Sequence, residues 1–416
     1  MTAGRVRVVE FTNCFHVGGG EMQVLELLRR LPACYEVSLH ALDPNGPLLG
    51  ETRELGYEPL VHPLGGSFMR PAAVAETVKL AQWLRGERID LVHAHDFYAA
   101  LLAVPAARLA GVPVAMSRLD LVHWHGHARH LAFAAASHAA DVVVANCQAV
   151  RDLVVHVERV SPEKVVVIRN GLDVARFDAL RAAPLQAPLP DTGDTPLAVL
   201  VANMRHEVKR QEDFLAAFAL VRRGVPEAQA LLVGEGRRAG ELARLARELG
   251  LAEAVHFLGA RQDVPAVLAR ATFGVLCSRQ EGLSNAIMEG MAAGLPMVVT
   301  DAGGNAELVK DGARGFVVPP ERPEALAQAM LRVLADPARA RRMGQAARRF
   351  VEDELGLDRM IHEHDRLYRR LLRGRAASQR QHSYGDTVTA RLARRRSRSA
   401  PTRPGTCAPE ARSCRT

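Results

Sequence analysis

Residues 5–31 read RVRVVEFTNCFHVGGGEMQVLELLRRL. Arg5 to Thr12 is short and rich in β-branched residues, the pattern of a buried strand. Glycines 18–20 make the turn that follows. Glu21 to Leu31 then spaces Met22, Leu25 and Leu28 at helical intervals. Strand, glycine-rich turn and helix together open an α/β unit. The alternation continues. Tyr35–Ala41, Ile89–His93, Val112–Met116, Val142–Ala145 and Val165–Arg169 read as strands, and Ala72–Leu84 and Phe97–Leu109 as helices. Strands separated by helices predict a parallel sheet covered on both faces.

Residues 178–196 (DALRAAPLQAPLPDTGDTP) interrupt this rhythm with four prolines and no β-rich run, the composition of a linker. The alternation then restarts. Strands are predicted at Leu197–Ala202, Ala230–Val233, Val255–Leu258, Phe273–Cys277 and Pro296–Val299. Helices are predicted at Gln211–Val221, Gly240–Leu249 and Asn285–Ala293. The expected organisation is a first α/β domain over 1–177, the linker over 178–196, and a second α/β domain over 197–355. A helix over 356–372 returns to the first domain, and 373–416 form an Arg/Ser/Pro/Thr-rich disordered tail.

Charge separates the tail from the body. The chain carries 54 Lys plus Arg against 46 Asp plus Glu, net +8. Residues 373–416 hold eleven arginines and two acids, net +9, which leaves the body at −1. A basic surface spread over the fold is therefore excluded, and with it a nucleic-acid partner, since the body lacks basic patches interleaved with aromatics. The tail suits weak association with anionic lipid. No apolar stretch approaches the ~20 residues of a membrane span. The six scattered cysteines form no CxxC pair and read as reduced thiols of a cytoplasmic protein. His123-Trp-His-Gly-His127 lacks a supporting cysteine or carboxylate pattern for a closed zinc site, so no metal is expected.

The chemistry concentrates in the second half. Glu281-Gly-Leu-Ser-Asn-Ala-Ile-Met-Glu289-Gly places two carboxylates eight positions apart, followed by Gly294-Leu-Pro296. Ser284 suits a helix N-cap, so the amides of Leu283 and Ser284 would sit at a helix N-terminus, where a phosphate is favoured. Glu289 falls one turn inside that helix and can accept from vicinal hydroxyls, as a ribose presents. Glu281 can do the same for sugar hydroxyls at the other end of a diphosphate. Arg205 and Lys209 lie in the loop after Leu197–Ala202. Lys209 is one of only four lysines in the body. Fixed cations there would stabilise a leaving diphosphate.

Residues 274–309 (GVLCSRQEGLSNAIMEGMAAGLPMVVTDAGGNAELV) resemble the signature of the family-4 glycosyltransferases, retaining enzymes of two Rossmann-like domains facing across a cleft (the GT-B arrangement). Further motifs occur in the family's order: Ile168–Asp173 (IRNGLD) with Phe177, Val201–Phe218, Val233-Gly-Glu-Gly236, Phe257-Leu-Gly259, and Gly303-Gly304 with Glu307. The resemblance covers about residues 5–372. It implies that Arg205 and Lys209 bind the donor diphosphate, that Gly19 and Gly20 let the backbone approach it, and that no metal or other cofactor is needed. One departure is plain. Where many relatives carry T-x-H, this chain reads Ser117-Arg-Leu-Asp120, with Leu119 at the histidine's position. Asp120 becomes the candidate polar group at the reacting centre, with Arg118, His93 and His95 on the acceptor side.

The expected activity is transfer of a sugar from a nucleotide-diphosphate donor to a glycan or lipid-linked acceptor, in cell-envelope polysaccharide, lipopolysaccharide or exopolysaccharide synthesis. Asp120, Glu281, Arg205 and Lys209 would carry it, in the cytoplasm or at the inner membrane face. The alternatives are a nucleotide-sugar-binding protein without catalysis, for which Leu119 speaks, and an epimerase or hydrolase on the same plan.

Overall fold

The computed structural model describes residues 5–64, 71–121, 126–191, 193 and 195–374. Seven strands form a first sheet: β1 (Val6–Thr12), β2 (Tyr35–Ala41), β3 (Leu60–Val61), β4 (Leu91–Ala94), β5 (Val114–Arg118), β6 (Val142–Ala145) and β7 (Val165–Val167). Six form a second: β8 (Leu197–Val201), β9 (Gln229–Val233), β10 (Val255–Gly259), β11 (Phe273–Leu276), β12 (Met297–Thr300) and β13 (Gly315–Val318). The sheet orders are β3-β2-β1-β4-β5-β6-β7 and β10-β9-β8-β11-β12-β13, and the pairings are parallel. Both are doubly wound, with helices on both faces. That is why β4, β6, β11 and β12 are buried along their whole length.

The local signals behind this are simple. The Phe97–Ala110 helix starts where Asp96 Oδ1 accepts from Ala99 N at 2.9 Å, and stops at Gly111, whose φ of 71° is left-handed. Its alanines at 99, 100, 103, 106 and 107 are buried, so the longest apolar stretch of the chain is a core helix. Among the described residues, no helix is long and apolar enough to cross a membrane.

One sequence expectation changes. The proline-rich connection does not begin at residue 178. A helix runs Val174–Ala182, capped by Asp173, which accepts from Arg176 N at 3.0 Å, and anchored by buried Phe177. Only from residue 183 is the connection irregular. A second crossing lies beside it. Leu172 pairs with the segment around Gly356 through Leu172 N to Leu355 O (2.8 Å) and Leu357 N to Leu172 O (3.0 Å). There the chain enters a last helix from residue 357, which packs on the first sheet through Tyr368, whose Oη donates to Glu10 at 2.8 Å. Residues to Tyr368 form one compact unit that holds both sheets. Of the second unit, Arg369–Thr416, residues 369–374 are described and are helical. The Arg-rich tail beyond 374, and His123 and His125, lie outside the described residues.

Candidate active site

In each sheet the strand order reverses beside the first strand, between β1 and β4 and between β8 and β11. Ligands of doubly wound sheets bind at the carboxyl ends of the strands at such points. The loops leaving these four strands carry Gly18–Gly20, His95–Asp96, Arg205–Lys209 and Glu281.

The second-domain loops are tied together. Arg279 N donates to Val208 O at 2.8 Å, and the buried Cys277 thiol lies 3.3 Å from Lys209 O and 3.0 Å from Arg210 O. Burial pushes that thiol well above its usual range, so it stays protonated and can donate. Arg210 adopts a left-handed φ of 51°, a costly conformation for a side chain with a Cβ. Its guanidinium is clamped on Asp213 by two bonds of 2.8 Å, which holds the turn. The outcome is that Lys209 Nζ reaches Glu281 Oε1 at 2.5 Å. Ser278 Oγ donates to the same oxygen at 2.6 Å. Two residues 72 positions apart in sequence meet at one point.

Arg205 is exposed in the same loop. Its backbone is pinned by close approach: a Cβ on Gly236 would lie 2.6 Å from Arg205 N and 2.3 Å from Met204 C. Across the cleft, Arg205 acts electrostatically on Glu21, in the first turn of the Gly19–Arg30 helix. Burial pushes the Glu21 carboxyl up, Asp96 adds to the rise, and Arg205 opposes it.

The Asn285–Ala292 helix follows Glu281. Ser284 is its N-cap, accepting from Ile287 N at 3.4 Å. Glu289 lies within it and is half-buried. Among the described residues no hydrogen-bond partner meets its carboxyl, and burial alone pushes its pKa up to about 7. An unpartnered carboxyl that still reaches solvent is suited to accept hydroxyls from a ligand.

The first domain closes over this helix. Asn285 Nδ2 donates to Gly19 O at 3.2 Å, so two helix N-termini, at Gly19 and Asn285, converge. Each presents unpaired amides and a positive dipole end, favourable to an anion between them. Leu119, at the departure from T-x-H, packs its side chain over Gly20: a Cβ there would meet Leu119 Cδ1 at 2.9 Å. Leu119 O touches Gly282, and Leu121 touches Gly303. Asp120 lies between these two interdomain contacts. Gly303 must be glycine. Its φ is 57°, and a Cβ would fall 1.8 Å from Glu281 O.

Residues 17–176 match the family described as Glycosyltransferase Family 4, and residues 195–336 match Glycosyl transferases group 1. This chain belongs to the family-4, group 1 glycosyltransferases. It is 31% identical to glycogen synthase of Mycobacterium tuberculosis over 279 residues, and the match spans 64% of each chain. It is 28% identical to alpha-maltose-1-phosphate synthase of Mycolicibacterium smegmatis, over 85% of this chain and 96% of that one. An Escherichia coli relative named UDP-Gal:alpha-D-GlcNAc-diphosphoundecaprenol alpha-1,3-galactosyltransferase is 27% identical, over 62% and 70%. Among solved structures, Anabaena HepE in complex with UDP and glucose superposes with a TM-score of 0.76 at 19% identity, covering 87% and 99%. Sucrose-phosphate synthase from Thermosynechococcus elongatus gives 0.72 at 22%, covering 89% and 100%. These structures establish the GT-B fold.

The structure moves three expected acceptor-side residues out of the cleft. Arg118 is fully buried. It forms a bidentate pair with Glu158 at 2.6 and 2.7 Å, donates to Ser137 Oγ at 3.0 Å, and lies 3.9 Å from the Phe133 ring centroid. Its carboxylate partner stands 40 positions downstream in sequence. His93 and His95 are also buried. His93 bonds Tyr368 Oη (2.7 Å) and Ser117 Oγ (2.9 Å), and His95 bonds Glu10 (2.6 Å). Burial holds His93 well below the usual histidine range and His364 at about 4. The ligand-type atoms of Glu10, His93 and His95 lie within 4.8 Å of one another. A chain of hydrogen bonds running Ser117–His93–Tyr368–Glu10–His95 gives all three a protein partner, and it fastens the last helix to the first sheet. His127, the last histidine of the His123–His127 run, starts the His127–Ala139 helix. Sequence reasoning passed over Glu21, Gln23, Asn170 and Asn285. The only signal was their place beside the glycine turn, the IRNGLD motif and the cap at Ser284.

Proposed function

We propose that this glycosyltransferase moves a hexose from a nucleotide-diphosphate sugar to a hydroxyl of a glycan or lipid-linked acceptor, with retention of configuration and without a metal ion. The observation that carries the reading is the meeting of Lys209 and Glu281 at the mouth of two converging helix N-termini. Cations and oriented amides surround the place a diphosphate would take. A carboxylate stands beside it for the sugar, and the unpartnered Glu289 stands one turn along for the ribose. The galactosyltransferase relative, whose name contains both UDP-Gal and a diphosphoundecaprenol-linked acceptor, supports the substrate class.

In this mechanism the bond from the anomeric carbon to the phosphate oxygen breaks, and the acceptor oxygen forms its bond on the same face. The acceptor proton passes to the departing phosphate oxygen. Lys209, Arg205 and the Leu283–Ser284 amides stabilise the charge that develops there. Glu281 holds the sugar, and Asp120 orients the acceptor hydroxyl. Acceptor access from the inner face of a membrane, aided by the Arg-rich tail, belongs to the same proposal.

The test is direct. UDP-, GDP- and ADP-sugars are titrated, and the one that raises the melting temperature identifies the donor. Proton NMR of the first-formed product then reads its anomeric configuration, and the assay is repeated with EDTA. An inverted product, or loss of activity on chelation, would overturn retention or metal independence respectively. Release of free sugar at an equal rate with and without acceptor would replace transfer by hydrolysis.

Glu289 adds a pH dependence. Ionised, it accepts two hydroxyls; protonated, it must donate to one. Donor KM is expected to rise as pH falls below about 7, and Glu289→Gln should flatten the profile. Stability moves with the opposite sign. The folded pKa lies above the ordinary 4.5, so the folded chain holds the proton more tightly. That stabilisation is full below 4.5 and is lost as pH rises through about 7. Glu289→Gln should therefore melt higher than the parent above neutrality while binding donor less well. A donor KM that does not change between about pH 6 and 8 would remove Glu289 from the ribose site.

A further inference from the structure

Three amide side chains meet where the two domains touch. Gln23, on the Gly19–Arg30 helix, brackets Gly171 as a neighbouring strand would: its Oε1 accepts from Gly171 N at 2.8 Å and its Nε2 donates to Gly171 O at 3.1 Å. Asn170 Nδ2 donates to Leu283 O at 3.2 Å and to Asn285 Oδ1 at 2.8 Å. Gln23 Nε2 reaches the same Oδ1 at 3.4 Å, and Asn285 Nδ2 donates to Gly19 O at 3.2 Å. The orientation of the Asn285 amide follows from its partners. Its oxygen faces two N–H donors and its nitrogen faces a carbonyl, so the flipped amide would set donor against donor.

The Asn285 side chain is therefore joined to three places at once: the glycine turn after β1 through Gly19, the body of the following helix through Gln23, and the corner where the chain leaves the first sheet through Asn170. Its backbone follows Leu283 and Ser284, whose amides are assigned to the diphosphate in the proposed reaction. We infer that Asn285 is a positioning residue, a neutral latch that sets the distance between the two helix N-termini and so the geometry in which donor and acceptor react. The inference rests on the proposed transfer reaction for its catalytic consequence, but the latch itself is a statement about the protein alone. Amides suit the task. A charged pair there would either attract or repel the diphosphate, whereas three amides hold the domains together and leave the field to Lys209 and Arg205.

The geometry makes the effect separable from folding. Asn285 is partly exposed and lies at a helix start, where alanine is tolerated. Donor contacts to Lys209, Glu281 and Glu289 remain within the second domain. The expected result for Asn285→Ala is an unchanged melting temperature, a donor Kd within about threefold of the parent, and a kcat lower by about 10²-fold, the scale of loss for a misplaced but intact site. Asn285→Asp keeps the accepted bonds from Asn170 and Gln23 but turns a carboxylate oxygen on the Gly19 carbonyl. It should lose kcat as the alanine variant does.

Hydrogen exchange of the peptide covering residues 13–25 gives a readout independent of activity. Faster exchange of that segment in both variants, with the 197–201 strand unchanged, is expected. Unaltered exchange in both variants, or kcat within about twofold of an active parent in both, would overturn the latch. If the parent transfers no sugar from any nucleotide donor, the proposed reaction falls, and the exchange result alone decides the latch. Should Asn285→Ala fail to fold, Asn285→Asp and Gln23→Ala decide the same question.

Discussion

Replacing Lys209 by alanine is expected to lower kcat for sugar transfer by about 10²–10³-fold, the scale of removing one preorganised donor from a developing oxyanion. Lys209 Nζ lies against Glu281 Oε1, at 2.5 Å. A diphosphate entering the site competes with that carboxylate for the ammonium. The two single variants should therefore diverge in sign. Lys209→Ala loses both donor affinity and kcat. Glu281→Gln frees the ammonium, so donor affinity should hold or tighten while kcat falls, because the sugar loses its carboxylate. The double variant should be little worse than the poorer single one, since groups in direct contact are not additive. Lys209→Arg should recover only part of the rate. A planar fork cannot occupy the narrow place of an ammonium between Glu281 and the Val208–Arg210 backbone. The measurement is a steady-state double-mutant cycle with donor Kd taken separately by calorimetry. Wild-type kcat in Lys209→Ala would remove this residue from the mechanism. Equal loss of donor affinity in Glu281→Gln would show that the carboxylate contacts the donor as strongly in the ground state as in the transition state.

Much of this site was legible because its parts are short and local. The strands of a doubly covered sheet are nearly continuous apolar runs, so β6 at Val142–Ala145 could be read to the residue. Ser284 as cap and Glu289 one turn later follow from helix geometry alone. What escaped depends on long-range docking. Whether His93 and His95 open on a cleft is decided by where the helix from residue 357 lands, and Tyr368 reaches back 275 positions to cover His93. Neither histidine carries a local mark of being covered. Arg118 ends β5 and Asp120 follows two positions on, a closeness in sequence that suggests a neighbouring pair, yet Glu158 takes the arginine from a separate element. Composition misplaced the linker's start for a similar reason. Prolines begin at Pro184, but the cap at Asp173 and the buried Phe177 hold residues 178–182 in a helix. The Lys209–Glu281 pair was found as two separate candidates, and only the tethering of their loops through Cys277 and Arg279 joins them.

The Arg118–Glu158 pair predicts the largest effect on stability. Both side chains are wholly removed from solvent. Two charges in that environment are costly to desolvate, and their attraction and hydrogen bonds offset that cost only while both are present. Arg118→Met alone leaves Glu158 buried and uncompensated, and Glu158→Leu alone leaves the guanidinium so. Each is expected to destabilise the first sheet by about 3–5 kcal/mol. The double variant Arg118→Met/Glu158→Leu removes both charges and fills the space with apolar groups beside Phe133. It should regain most of the loss. The readout is convenient, because both tryptophans, Trp83 and Trp124, precede residue 178. Fluorescence in a urea titration then reports the first domain separately from the second. The same double variant decides the arginine's role. If Arg118 acts only through packing, transfer by the folded double variant keeps the parent's acceptor KM. If acceptor KM rises while the urea midpoint recovers, Arg118 contacts the acceptor in a state of the protein other than this one.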